Sequence, residues 1–250
     1  ASRDDDKIAW YENTPSLDFI EVARDGTGGV DGLAGARDVV VSNDGANVYA
    51  VGSTDNALAV FSRNGTTGKL TFLEVHVDGT DGVDGLGGAS SVATNQNNVY
   101  VTGATDQQVT RFERNTVTGQ LTYRSAIGDG IDTWLDNVND LAVSPTDDIV
   151  YTTSRDGDAV AVVKLSTEFT PQPWITTLAS GAKSVFAADV DGDDQTDVLS
   201  ASGSDNTIAW YENVLASEIA FETAANLPAG VEPVGITSGD FNADGNRDLA

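Results

Sequence analysis

Three observations predict an all-β fold of repeated four-stranded units for this 250-residue chain. First, one strand pattern recurs at a nearly constant step. KIAWYEN, ALAVFSRN, QVTRFERN, AVAVVKL and TIAWYEN put Ile8, Leu58, Val109, Val160 and Ile208 at equivalent places, 50, 51, 51 and 48 residues apart. Second, each full period holds four short apolar or alternating runs separated by turn-forming clusters. Third, no segment sustains a 3.6-residue period, so helices are not expected. A period near 50 with four strands per repeat is the signature of a β-propeller.

One repeat shows all four strands: ARDVVVS (36–42), NVYAVG (47–52), ALAVFSRN (57–64) and LTFLEVHV (70–77). NDGA, STDN and NGTTGK lie between them, rich in the residues that tolerate tight turns. Counting from Ile208 through Ala250 and on to Ile8 gives 50 again. GDFNADGNRDLA joined to ASRDDDKIAWYEN also runs parallel to 188–213. We therefore expect a single-domain five-bladed β-propeller of four antiparallel strands per blade. The blades fall at about 233–250 plus 1–24, 36–77, 89–127, 138–179 and 182–224, the first closed by both termini. Pairing the ends in one sheet removes edges that an open array exposes. A fragment of a longer array stays open as an alternative, as does a head-to-tail polymer in which one chain completes the blade of the next.

The chain has 13 basic and 39 acidic residues, a net charge of −26. Such a surface repels nucleic acid and anionic lipid, so neither is expected as a partner. No apolar run reaches the roughly 18 residues of a membrane helix, and no membrane insertion is expected. The absence of cysteine excludes disulfides, a thiolate nucleophile and zinc-thiolate sites. So many carboxylates need solvent or bound cations, and calcium is the first candidate.

Two loops carry the pattern a calcium ion needs. Asp189, Asp191, Asp193 and Asp197 occupy positions 1, 3, 5 and 9 of one loop, with the carbonyl of Gln195 at position 7. Asp240, Asn242, Asp244, Asn246 and Asp248 repeat that spacing. Alternating oxygens let a short loop wrap a hard cation with six to eight ligands. Position 12 after Asp189 is Ser200 and the flanks read as strands, which sets the loops apart from EF-hands. The expectation is Ca²⁺ at about two sites, structural in role, with an acidic hairpin turn as the plain alternative. Asp194 stands where the second loop has Gly245, a place of expected backbone strain.

DGVDGL, NVYAVGSTDNALAVFSRN and TTGKLTFLEV, within about 26–165, resemble the tandem repeats of lactonase-like β-propellers of bacterial surface and secreted proteins. DVDGDDQTD and DFNADGNRD resemble the calcium-binding FG-GAP or VCBS repeats of integrin-like propellers. Both resemblances imply a propeller and an extracellular or cell-surface, secreted location. Neither implies one function, because propellers host many.

The starts of the innermost strands are where side chains can face a propeller's central channel. They read Arg37-Asp38, Ser90-Ser91, Asn139-Asp140, Lys183-Ser184 and Val234-Gly235. Asp38 and Asp140 are the carboxylates a glycosidase would need, although polar residues hydrating a channel are the plainer reading. His76 is alone of its kind and is expected on an outer strand. No nucleophile elbow or phosphate loop occurs. The loop between second and third strands carries Asp5, Asp55, Asp106 and Asp205 at matching places, with Asp156 and Asp158 in the fourth repeat. These are good turn residues and also a candidate binding ring. Trp134 is the expected exposed aromatic for sugar stacking, with core packing as its alternative. Trp10 and Trp210 are expected in blade cores.

The resulting expectation is a non-catalytic, calcium-stabilised extracellular module for binding, adhesion or scaffolding, with a glycan or an extracellular protein as partner. It is monomeric if the ring closes. The alternatives are a glycoside hydrolase or lactonase-like enzyme using the channel carboxylates, or a subunit polymerising by blade completion.

Overall fold

The computed structural model describes residues 1–12, 18–128, 134–145, 149–164, 170–175, 178–214, 221, 225–239, 241 and 248–250. They are all-β, with no helix among them. The chain divides into two compact units, Ala1–Gly128 and Asp129–Ala250.

Unit 1 begins with a two-stranded sheet, β1 (Lys7–Glu12) and β2 (Asp18–Arg24). Two four-stranded meanders follow. The first is β3 (Ala36–Val41), β4 (Asn47–Gly52), β5 (Ala57–Arg63) and β6 (Leu70–Val77). The second is β7 (Ala89–Thr94), β8 (Asn98–Gly103), β9 (Gln108–Arg114) and β10 (Leu121–Gly128). Unit 2 holds two more: β11 (Val138–Val143), β12 (Ile149–Ser154), β13 (Ala159–Lys164), β14 (Thr170–Ile175), then β15 (Ala182–Ala188), β16 (Asp197–Ser202), β17 (Thr207–Tyr211), β18 (Ala225–Pro228). It ends in a two-stranded pair, β19 (Ser238–Gly239) and β20 (Asp248–Leu249). All pairings are antiparallel between strands consecutive in sequence, as the short turn clusters demand.

The second strand of each meander is covered on both faces. β4, β12 and β16 are buried at every residue, so their alternation disappears into continuous apolar or small-polar runs. Tyr49, Tyr100 and Tyr151 fill the same place in successive sheets, all 1% exposed or less. In unit 1, one core cluster joins Tyr49, Leu58 and Val60 to Leu86, Val92 and Phe112, layering the β3–β6 sheet on β7–β10. In unit 2, Tyr151, Val160 and Val162 pack against Val185, Val198 and Tyr211. The Tyr211 hydroxyl sits deep enough that desolvation pushes its pKa up to about 12. Gly52 and Gly103, which close β4 and β8, touch the carbonyls of Gly32 and Gly85, and a Cβ there would overlap them.

Polar links repeat with the sheets. Asp6, Asn56, Gln107, Asp158 and Asn206 head the third strands in the left-handed region, with φ from 49° to 57°. Asn and Asp tolerate that conformation because their short polar side chains bond locally. Here several of them reach further. Asp6 Oδ1 accepts the backbone N–H of Gly35 at 2.7 Å, Asn56 Oδ1 that of Gly88 at 2.8 Å, and Asp158 Oδ1 that of Gly181 at 2.7 Å. Each ties one sheet to the loop leading into the next.

A buried cation links β9 to the preceding sheet. The Arg114 side chain is 1% exposed; its Nη2 donates to Asp44 Oδ2 and to Asn47 Oδ1, both at 2.7 Å. Asp44 lies in the β3–β4 turn, where bonds from Ser42, Ala46 and Arg114 hold its pKa down to about 2. Removing the carboxylate leaves the buried guanidinium its neutral acceptors, Asn47 Oδ1 and the Gln96 carbonyl, but takes away its counter-charge. Asp44→Ala is therefore expected to cost about 3 kcal/mol, seen as a lower urea midpoint. Adding Arg114→Met to that variant should recover part of the loss.

Candidate active site and acidic loops

Each innermost strand opens with a β-bulge at the same place. The pairing register shifts between Ala36 and Asp38, Ala89 and Ser91, Val138 and Leu141, and Ala182 and Ser184. Bulges re-aim side chains and are common beside active sites. The displaced residues are Arg37, Ser90, Asn139 with Asp140, and Lys183, the positions singled out in the sequence.

The carboxylates among them are tied down. Asp38 Oδ2 accepts Ser91 Oγ at 2.8 Å and the Val92 N–H at 2.9 Å, while Oδ1 accepts the Val39 N–H at 2.8 Å. Asp140 repeats this in unit 2: Oδ2 accepts Ser184 Oγ at 2.8 Å and Val185 N–H at 3.0 Å, and Oδ1 accepts Leu141 N–H at 2.9 Å. With three of about four acceptor sites used by fixed donors, each carboxylate acts first as a latch between neighbouring inner strands. The sequence carried that signal in the alternation Asp38, Ser91, Asp140, Ser184, which went unread.

The cations differ. Arg37 is exposed at the start of β3, and desolvation, then the nearby charge of Arg3, lower its pKa. Asn139 Nδ2 donates to the Lys183 carbonyl at 2.6 Å. The Lys183 stem lies across Gly203, where a Cβ would stand 2.8 Å from Cε. Trp134 corrects the expectation of an exposed stacking face, since it is 5% exposed. The run that bears it, DTWLDNV, places Trp134, Leu135 and Val138 inside together. His76 is half-buried, its ring 5.0 Å from that of Phe112 and its Nε2 3.2 Å from Glu74.

Three of the Asp ring residues hold backbone N–H groups, Asp55 and Asp106 half-buried and Asp205 exposed. Asp55 Oδ2 accepts Ala34 N–H at 2.8 Å, Asp106 Oδ2 accepts Gly87 N–H at 2.6 Å, and Asp205 Oδ2 accepts Ser180 N–H at 2.7 Å. Two of them gather carboxylates from the neighbouring Gly/Asp-rich loops, at 26–35 and 79–88 and just before them. Asp25, Asp31 and Asp55 bring carboxylate oxygens within 4.8 Å of one another, as do Asp78, Asp84 and Asp106. The repeated DGTGGVDG and DGTDGVDG were the available signal. Desolvation first, then neighbouring carboxylates, raise the pKa of Asp55 and of Asp106.

Asp189, Asp191 and Asp197 form a third such group. Asp193 is not part of it; its carboxylate takes Gln195 N–H at 2.8 Å and Gln195 Nε2 at 2.9 Å. Asp189 caps the turn, accepting from Gly192, Asp193 and Asp194. Asp194 has φ 67°, the strained conformation expected there. Gln195 Oε1 is a buried oxygen with no hydrogen-bond partner. Asp197 is fully buried and desolvation raises its pKa. Of the second loop, Asp240, Asn242, Asp244 and Asn246 lie outside the described residues. Asp248 Oδ2 accepts Phe241 N–H at 2.9 Å, as Asp197 Oδ2 accepts Val190 N–H at 3.1 Å.

Two predictions follow from these carboxylates. Asp38→Ala frees two N–H groups and a hydroxyl, and a loss of about 2–3 kcal/mol is expected from bonds to a charged group, measured by urea denaturation. Asp55, Asp106 and Asp197 have folded pKa values above their unfolded ones, so they add stability as pH falls from neutral into the carboxylate range. Asp44, held near 2 against 3.8, loses its contribution as pH falls between those values. The urea midpoint should therefore rise and then fall on acidification. Relief of the −26 charge acts in the same direction as the rise. Asp55→Asn/Asp106→Asn isolates the local part, being more stable than wild type at pH 7 with a smaller rise.

Among family models, that described as "Lactonase, 7-bladed beta-propeller" matches residues 4–170, and that of the FG-GAP-like repeat matches 189–250. No curated protein matches the chain. Of solved structures, a Desulfotomaculum acetoxidans protein of unknown function is 12% identical with a TM-score of 0.71, over 96% of this chain and 68% of that one. A protein described as a 6-phosphogluconolactonase from Bacteroides uniformis is 18% identical with a TM-score of 0.61, over 79% of this chain and 58% of its own length. Virginiamycin B lyase from Staphylococcus aureus is 15% identical with a TM-score of 0.62, over 94% and 68%. At such identities the structures share the fold alone. The lactonase match overturns the expectation of a non-catalytic adhesion or scaffold module, and with it the expectation against an enzyme. The absence of histidine clusters and nucleophile elbows from the sequence does not exclude catalysis by other residue types. With two thirds of its length matched, the chain belongs to the lactonase family of seven-bladed β-propellers.

Proposed function

We propose that the protein is a lactone-opening enzyme whose substrate meets the bulged start of β3. The family match across 4–170 carries this reading. Opening a lactone with water puts negative charge on the carbonyl oxygen and then on the leaving ring oxygen, so a site needs cationic or N–H donors held in place. In unit 1, Arg37 offers a guanidinium at the start of β3, already partly desolvated. Asp38 and Asp140 are positioning residues that fix the bulges. The test is hydrolysis of a panel of sugar lactones followed by proton release. Arg37→Ala should lower kcat/KM at least tenfold with the urea midpoint unchanged. No hydrolysis of any lactone by the folded wild type would overturn the proposal.

The 189–197 loop fits a hard cation, because its grouped donors are all carboxylate oxygens and Gln195 Oε1 adds an unused one. We extend the proposal to structural Ca²⁺ held by Asp189, Asp191 and Asp197. Chelation should then lower the melting temperature; an unchanged value would count against the ion.

The five periods are read as five blade-like repeats, two fewer than the seven blades of the family description.

A further inference from the structure

Arg37 has a neighbour of the same sign. The turn from Ser2 to Lys7 is closed by an antiparallel bridge between those two residues, and Asp6 docks it on the lead into β3 by accepting the Gly35 N–H at 2.7 Å. Arg3 stands in that turn, three residues before Asp6, and Arg37 follows Gly35 by two. The tether thus brings both guanidiniums to one end of β3, close enough that the charge of Arg3 adds to desolvation in lowering the Arg37 pKa. Both residues are exposed.

The joint itself does not require them. At the next joint of unit 1 the tether is Asn56 on Gly88, and the same two offsets fall on Ser53 and Ser90. Two uncharged residues serve there. The flanking carboxylates are committed to other donors: Asp5 Oδ2 takes Lys7 Nζ at 2.7 Å and Ser2 Oγ at 3.0 Å, Asp6 takes Gly35, and Asp38 takes Ser91 and Val92. Drawing like charges together disfavours both unless an anion joins them. In a chain of net charge −26, a paired cation of this kind is a local reversal of the surface potential.

The chemistry of lactone opening says which anion arises there. Water adds at the carbonyl carbon and the ring C–O bond breaks, so the neutral ester becomes a hydroxyl group and a carboxylic acid that gives its proton to water at neutral pH. A neutral substrate therefore leaves as an anion. The guanidinium fork matches the two oxygens of a carboxylate, and such charge-assisted bonds are stronger than those to a neutral carbonyl. A second guanidinium beside Arg37 strengthens the hold on the product more than the hold on the substrate.

We propose that Arg3 and Arg37 form a carboxylate-binding pair that retains the hydroxy acid released by lactone opening, so that the enzyme is restrained by its own product. The inference rests on the lactone-opening reading for the source of the anion, while binding by the pair is read without turnover. The probe is sodium gluconate, titrated calorimetrically into the folded protein at low ionic strength, with sorbitol as an uncharged polyol of similar size. Gluconate should bind roughly tenfold more tightly than sorbitol or better, and added salt should weaken it because the pair is exposed. Arg3→Gln should lose roughly tenfold of the gluconate affinity, and Arg3→Lys should keep part of it, since the charge survives without the fork. An unchanged urea midpoint shows that both variants are folded. During hydrolysis of a sugar lactone, gluconate should inhibit the wild type competitively and inhibit Arg3→Gln about tenfold more weakly. Equal affinity for gluconate and sorbitol, or equal gluconate affinity in wild type and Arg3→Gln, overturns the proposal. Gluconate binding that depends on Arg3 in a protein that opens no lactone would instead strike the lactone-opening reading and uphold the pair.

Discussion

A side-chain oxygen accepting a backbone N–H across a sheet boundary is the interaction on which the other arrangements depend. Adjacent sheets bury apolar faces, but burial is non-directional and leaves sliding and splaying unopposed. Asn56 on Gly88 and Asp158 on Gly181 fix the outer loops, and Asp38 on Ser91 and Val92 fixes the inner strands. These bonds also satisfy N–H groups in loops packed too tightly for every donor to find a strand partner. The bulges that present Arg37 and Lys183 are therefore set by the same bonds that order the sheets.

The acidic loops show a different balance. Grouping Asp25 and Asp31 with Asp55 sets carboxylates against one another in a partly dry place, and the raised pKa of Asp55 records the cost. The cost is tolerated because Asp55 and Asp25 each cap a lead-in N–H, Ala34 and Leu33. Asp44 lies at the other extreme, exposed and paired with a buried arginine, and its proton is held off to about pH 2. A net charge of −26 thus hides two opposite local situations, which composition alone averages away.

The period, the four strands per repeat and their turns were legible in the sequence because alternation, β-branched runs and Asn-Gly-Asp clusters are local signals. The inner-strand positions were legible as well, by alignment of the repeat. Their roles were not. Asp38 reads as a free carboxylate until Ser91, 53 residues away, is seen donating to it. Trp134 in a Gly/Asp-rich surrounding reads as exposed, and only its burial, at 5% exposed, shows otherwise. The enzyme-like alternative gained weight only from the family match over 4–170, for which no local motif in the chain stands. Asp25 and Asp31 failed to stand out because Asp in a turn explains itself without a neighbour.

The left-handed residue at the head of each third strand has a consequence for how such chains are composed. Asn56 sits in a lactonase-type repeat and Asn206 in an FG-GAP-type one, yet both adopt φ near 55° and both offer Oδ1 to a backbone N–H further along, Gly88 and Glu232. The joint is written in one side chain and one main-chain donor, not in the repeat's family. The two repeat types in this chain thus share one fitting at their joints, and a repeat of either type needs only that side chain and that donor to seat the next.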